Sequence, residues 1–75
     1  MDEITISWRY PVELQVVVDV INYEPVFEKQ NWRSGDQEKV TILDDRDGFV
    51  DMKFSNGFIA YHVEKIFYKE VMEKE

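Results

Sequence analysis

The side chains with the most chemical potential lie in one short segment, Leu43-Asp-Asp-Arg-Asp-Gly-Phe49. Asp47 and Gly48 match two positions of a calcium-binding loop, but such a loop also needs carboxylates where this chain has Leu43 and Phe54. Asp44 and Asp45 are adjacent on a solvated turn, so they lack the burial on which a hydrolytic acid pair depends. The segment therefore predicts neither a metal site nor a catalytic pair.

The other reactive residue types are isolated from one another. His62 is the only histidine, there is no cysteine, and the three serines are not in the context of an activated nucleophile. His62 is expected on the solvent side of a strand, and its alternative role is a pH-sensitive contact with a nearby acid. We therefore expect no enzymatic activity, no cofactor and no metal.

Acidic charge is the main functional signal. The chain carries a formal charge of −7, of which residues 36–52 contribute −4, while residues 53–75 are balanced. A negative surface repels phosphate backbones, so direct nucleic-acid binding is disfavoured, and complementary charge favours a basic protein partner. The plainer interpretation is that the excess acid only keeps a small domain soluble.

The predicted partner-binding residues are the six carboxylates of that segment: Asp36, Glu38, Asp44, Asp45, Asp47 and Asp51. Each is expected to pair with a Lys or Arg that otherwise meets phosphate. In size and charge the chain resembles the small acidic DNA-mimic and host-takeover proteins of bacteriophages. That resemblance implies an inhibitor that blocks the nucleic-acid site of a basic DNA- or RNA-binding host protein. The alternative is a structural or adaptor module with incidental acidity.

Length and composition predict one small domain covering residues 1–75. The beginning of the chain is acidic where a signal peptide would be basic, and no apolar run is long enough to span a membrane, so we expect a soluble cytoplasmic protein. A chain this short with many large apolar side chains also predicts a homodimer, paired through the 3–9 or the 12–20 segment.

Alternating apolar residues predict a mainly β, antiparallel fold. The predicted strands cover residues 3–9, 12–22, 39–44, 49–54 and 58–63. The 12–22 segment also fits a helical spacing, but six of its eleven positions are Val or Ile, which favours a strand. Residues 24–36 are predicted to form a loop, since they contain Pro25, Asn31, Ser34 and Gly35.

The end of the chain allows two interpretations. Val63, Ile66, Phe67 and Val71 form a partial helical stripe that predicts a short C-terminal helix. Alternatively, Val-Glu-Lys-Ile is a single tight turn followed by a strand from Phe67 to Val71. The predicted core consists of Ile6, Trp8, Val16, Val18, Val40, Ile42, Val50, Met52, Phe54, Ile59 and Tyr61.

With a turn and a last strand, residues 35–71 resemble Src-homology-3-like and Tudor-like small barrels. The likeness lies in the Gly35-Asp36 entry, a Val-Thr-Ile strand, the Asn56-Gly57 hairpin and the short final strand. It implies a partly open barrel that binds peptides, modified tails or nucleic acid. The acids at Asp44 and Asp45 stand where nucleic-acid-binding barrels of this kind have a basic loop.

Overall fold

A computed structural model describes residues 3–71 as one antiparallel sheet of seven strands. The strands are β1 (Glu3–Trp8), β2 (Val12–Ile21), β3 (Glu24–Trp32), β4 (Gln37–Arg46), β5 (Phe49–Phe54), β6 (Ile59–Glu64) and β7 (Tyr68–Val71). Their spatial order is β3-β2-β6-β5-β4-β1-β7. The predicted mainly β fold is confirmed.

The sheet curls until its distant strands touch. Trp8 lies on the sixth strand of the spatial order and Trp32 on the first, which in a flat sheet would be about 24 Å apart. Their ring centroids are 5.0 Å apart, and Trp32 also lies 5.1 Å from Phe54. The architecture is that of a small, partly open barrel with these aromatic rings across its interior.

The interior face of the curled sheet holds one apolar core. Its buried members are Ile6, Trp8, Val12, Val16, Val40, Val50, Met52, Phe54, Ala60, Val63 and Tyr68. Seven of the eleven predicted core residues are fully buried, and Val18, Ile42 and Ile59 are half-buried. Tyr61 is exposed, so its prediction was wrong: β6 buries Ala60 and Val63, with a bulge between them at His62, whose φ is 60°.

Short turns connect the meander of β4, β5 and β6 as the sequence predicted. Gly48 and Gly57 adopt φ values of 85° and 94°, a region that glycine enters without steric cost. The Phe58 amide donates to the Asn56 side chain at 3.1 Å, which fixes the second turn. Both hairpins of the sequence-based prediction are therefore confirmed.

The chain after β6 follows the turn-and-strand alternative. A single 3-10 turn at Lys65–Phe67 leads into β7, which pairs with β1 from Val71 to Tyr68. The predicted C-terminal helix is wrong for the described part, because pairing with β1 satisfies the backbone groups of residues 68–71. Met72, which the helical stripe approached, lies outside the described residues.

The predicted loop over residues 24–36 was also wrong in most of its length. Glu24–Trp32 forms β3, which pairs with β2 along its whole length. Pro25 is tolerated because β3 is an edge strand, whose outer backbone positions need no partner. Only residues 33–36 form the connection to β4.

The strands proposed for dimer pairing are interior strands. β1 lies between β4 and β7, and β2 lies between β3 and β6. The assignment of 3–9 as a pairing edge is therefore wrong, whereas β6 covers the 12–20 segment only at Val16 and Val17. The outermost strands of the described sheet are β3 and β7. A homodimer itself stays a prediction.

Candidate functional site

The six predicted carboxylates form two groups at opposite ends of β4. Asp36 and Glu38 lie at its beginning, and Asp44 and Asp45 near its end. Glu38 and Asp44 are six positions apart, which corresponds to about 20 Å along an extended strand. Asp47 and Asp51 belong to the second group, in the turn and in β5. The structure therefore brings four of the six together and leaves two apart.

The first pair is engaged in holding the fold. A Glu38 carboxylate oxygen accepts a hydrogen bond of 2.9 Å from the Trp32 indole N–H. Asp36 accepts one of 2.8 Å from the Arg33 backbone amide, and its carbonyl accepts one of 3.0 Å from the Trp8 amide. These bonds fix the connection after β3 against the core, so both residues have a structural role.

The second group, which we call the acidic hairpin end, comprises Asp44, Asp45, Asp47 and Asp51. A register shift between Ile42 and Asp44 places Asp44 directly opposite Asp51. Two like charges in such a pair repel each other. Arg46 relieves the repulsion, because its guanidinium lies 2.6 Å from an Asp51 oxygen and 3.6 Å from an Asp44 oxygen.

Asp51 is the most constrained of these acids. The backbone N–H of His62 donates to the same oxygen at 2.8 Å, where β6 bulges. This hydrogen bond is the largest cause of a pKa of Asp51 below its ordinary value. Burial, the next largest effect, opposes it, and the hydrogen bond and charge of Arg46 lower the pKa further. The His62 ring stacks on Phe49 at 4.0 Å, so the exposed histidine covers a half-buried ring.

Within the acidic hairpin end, Asp45 and Asp47 are exposed to solvent. Asp45 forms an exposed ion pair of 2.5 Å with Lys65 from the 3-10 turn. Exposed pairs of this kind contribute little to stability, so both partners can exchange for an external charge. With Arg46 and Lys65 interspersed, the carboxylates here do not form a row free of cations.

Beside this end, an open depression is lined by Ile4, Ile42, Val50 and Tyr68. Arg9, Lys65, Lys69, Asp45 and Glu70 surround it with charges of both signs. Burial, and then the negative charges of Asp45 and Glu70, raise the pKa of the Tyr68 phenol above its ordinary value. Tyr68 is therefore a buried member of the core whose phenol ionises less readily than an exposed one.

Residues 3–71 contain no group of three acidic or histidine side chains arranged to hold a metal ion. That part of the chain likewise has no helix with the length and apolar character needed to cross a membrane.

No protein-family model, curated protein or solved structure matches this chain.

Sequence reasoning missed a second surface, the hairpin of β2 and β3. Val20, Ile21, Tyr23 and Phe27 are large apolar residues left exposed there. The available signal was Asn22, which separates two runs rich in apolar residues and is typical of a tight turn.

Proposed function

We propose that this chain is a non-enzymatic protein-interaction domain that binds a basic protein partner. The observation that carries the proposal is the acidic hairpin end, where Asp44, Asp45 and Asp47 are exposed at one end of the sheet. A partner's Lys or Arg side chains would meet several carboxylates there at once. Charge complementarity of this kind accelerates encounter and selects orientation.

The narrower form of the proposal gives the partner a nucleic-acid-binding function, which the chain inhibits by occupying the nucleic-acid site. It is supported by the net charge of −7 and by the resemblance in size and charge to DNA-mimic proteins of bacteriophages. Duplex DNA presents one charge per about 1.7 Å of axis. A mimic of it needs closely spaced carboxylates, and Asp44 and Asp51 are directly opposite each other across two strands.

One observation favours the alternative, an adaptor module. Arg46 bridges Asp44 and Asp51, and Lys65 pairs with Asp45, so cations interrupt the acidic surface. An adaptor recognises its partner by shape as well as by charge, so its surface can combine acidic and basic side chains. For the barrel class we propose a Src-homology-3-like arrangement, supported by the three-stranded meander, the 3-10 turn and the return of β7 to β1.

The test is capture of proteins from a host lysate at low and at high salt, with Asp44→Asn, Asp45→Asn, Asp47→Asn as the triple variant. We expect nucleic-acid-binding proteins to be retained at low salt and released by high salt, since exposed charges are screened over about 8 Å at physiological ionic strength. The triple variant should lose them. A matched control, Glu3→Gln, Glu13→Gln, Glu70→Gln, removes the same charge from three other strands, β1, β2 and β7, and should retain them.

The two forms of the proposal give different results. Retained proteins that bind no nucleic acid but are still lost in the triple variant would support the adaptor. Salt-resistant retention that the triple variant leaves unchanged would contradict a role for the acidic hairpin end in either form.

A further inference from the structure

The far end of the β2–β3 hairpin projects beyond the body of the sheet. β2 pairs with β6 only through Val16 and Val17, so beyond these two residues β2 and the start of β3 pair only with each other. We call residues 18–28 the hairpin tip; its last two residues, Phe27 and Glu28, lie opposite Val17 and Val16. The molecule extends 43 Å along its long axis and 27 Å and 24 Å across. A two-stranded ribbon is marginal in water unless something packs against it.

The hairpin tip is nevertheless rich in apolar side chains. The side chains of Val20, Ile21 and Phe27 are 60%, 56% and 50% exposed, and Tyr23 is completely exposed. Scattered single apolar residues at a surface are ordinary, but a contiguous group of them marks an interaction site. These four lie within eight residues on one hairpin.

A change of strand phase gathers some of these residues on one face. Val17 is opposite Phe27, but the register shifts so that Asp19 is opposite Val26 and Val20 is opposite Pro25. Pro25 and Phe27 are two apart on β3 and share a face. Val20 therefore joins Val17 and Phe27 on one side, although an unbroken alternation would have placed it with the buried Val16.

The turn itself contains one residue, Tyr23, that its geometry does not favour. Asn22 and Tyr23 both have left-handed backbones, with φ values of 53° and 67°. Asparagine tolerates this conformation, but for a bulky tyrosine it is an outlier. A strained residue that packs against nothing in its own chain points to a role outside the fold.

The charges of the hairpin tip select the kind of partner. Residues 18–28 include Asp19, Glu24 and Glu28 and no Lys or Arg. Two copies meeting through their tips would bring six carboxylates together without a cation, which is unfavourable. An anionic membrane surface attracts basic segments and would repel this one. A basic partner with apolar side chains satisfies both features.

We propose that the hairpin tip is the docking surface for an amphipathic, basic segment of the protein partner. Val20 and Phe27 would contact the apolar side chains of that segment, and Asp19, Glu24 and Glu28 would pair with its flanking Lys or Arg. The inference rests on the proposed function, since it assigns a docking surface to the same basic partner.

The probe is a synthetic amphipathic peptide of leucine and lysine, compared with a peptide that has serine in place of each leucine. Binding to the 15N-labelled protein is followed through amide chemical shifts. We expect the leucine peptide to shift the amides of residues 18–28 and to bind about tenfold or more tightly than the serine peptide, since burying one such apolar side chain is worth at least that factor.

The decisive variant is Val20→Ser, Phe27→Ser, which should weaken leucine-peptide binding by a similar factor. The matched control, Leu43→Ser, Ile66→Ser, removes two exposed apolar side chains far from the hairpin tip and should bind normally. Amide spectra of both variants report whether the body of the sheet is folded, and the single variant Val20→Ser supplies the measurement should the double variant unfold.

Other outcomes would overturn the inference in distinguishable ways. Binding of both peptides with shifts confined to residues 44–47, unaffected by the hairpin variant, would reject this surface while supporting the proposed function. Absence of binding to either peptide would contradict both. Binding to phosphatidylcholine–phosphatidylglycerol vesicles through residues 18–28, or a dimer that dissociates in the hairpin variant, would replace the basic segment by a membrane or a second copy.

Discussion

The Glu38 carboxylate accepts a hydrogen bond from the indole of Trp32, and that indole packs between Trp8 and Phe54. A residue predicted to bind a partner is thus an anchor for the aromatic cluster that closes the barrel. Asp51 has a similar position at the other end of β4, where it accepts from His62 and Arg46. Formal charge alone does not distinguish such acceptors from the more exposed Asp44 and Asp47.

A large contribution to stability is expected from Phe54, which is only 4% exposed and whose ring centroid lies 5.1 Å from that of Trp32. Phe54→Ala should lower the free energy of unfolding by about 3–5 kcal/mol, through lost burial and the cavity left behind. Urea denaturation measures the change. Tyr61→Ala is the control on β6, and because Tyr61 is exposed it should cost less than about 1 kcal/mol. Equal losses in the two variants would contradict the observed strand phase.

Asp51 predicts a specific dependence of stability on pH. Its pKa is lower in the folded chain than in the unfolded chain, so its contribution is complete above the ordinary value of 3.8 and is lost as pH falls through the folded value. Asp51→Asn should lower stability at pH 7 and flatten the decline of stability with acid below about pH 4.

The matched control for Asp51 is Asp47→Asn, which makes the same charge change at an exposed turn position. Thermal unfolding over pH 2–7 compares the two variants with the parent chain. An acid decline that is the same in the parent and in Asp51→Asn would contradict the assignment of this carboxylate as a stabilising acceptor.

At the scale of elements, the β2–β3 hairpin differs from the rest of the sheet. The meander of β4, β5 and β6 turns at glycines, whereas this hairpin turns at Asn22 and Tyr23. It projects from the body, carries exposed apolar side chains and has no cation in residues 18–28. Because pairing with β6 ends at Val17, the hairpin tip is expected to open locally more easily than the core strands.

Tyr23→Gly should therefore stabilise the protein slightly. Relieving the left-handed strain of a non-glycine residue should raise the free energy of unfolding by about 1–2 kcal/mol. The extra backbone freedom of glycine in the unfolded chain should lower it by about 0.5–1 kcal/mol. No packing is lost, because Tyr23 is fully exposed. Chemical denaturation should show a net gain below about 1.5 kcal/mol. Destabilisation would mean that the tyrosine ring contributes to the fold.

At the scale of the whole molecule, the outermost strands β3 and β7 present free backbone edges to a second copy. The β3 edge carries Pro25, Glu28 and Lys29, and proline and charge on an edge both discourage strand addition. The β7 edge is four residues long and exposes Lys69 and Glu70, which are of opposite sign. A symmetric dimer is therefore expected to use β7, where an antiparallel partner can place the two charges opposite each other.

Analytical ultracentrifugation tests this association. The parent chain should sediment as a species of about twice 9.0 kDa, and Val20→Ser, Phe27→Ser should not change it. Reversing one charge, Glu70→Lys, should weaken the dimer, with Glu64→Lys as the matched charge control away from the edge. A 9.0 kDa species alone at all concentrations would reject the dimer.

Much of the sheet was determined by the sequence itself. Alternation placed β1, β5 and β6 within a residue or two, and Gly48 and Gly57 marked the turns of the meander. These are local features, because strand period and turn conformation depend on neighbouring residues. Local features also explain why β3 was missed. An edge strand needs little apolar content, and β3 is defined by its pairing with β2, which a local pattern does not record.

Only the tertiary structure decided the rest. The bulge that turns Val20 away from Val16 arises from pairing with β3, and the exposure of Tyr61 arises from the register between β5 and β6. The division of the acidic residues into anchors and free charges depends on donors distant in sequence, such as the amide of His62 for Asp51. The sequence gives the charge of each side chain. The hydrogen-bond or ion-pair partner of that side chain depends on which strands are neighbours in the sheet.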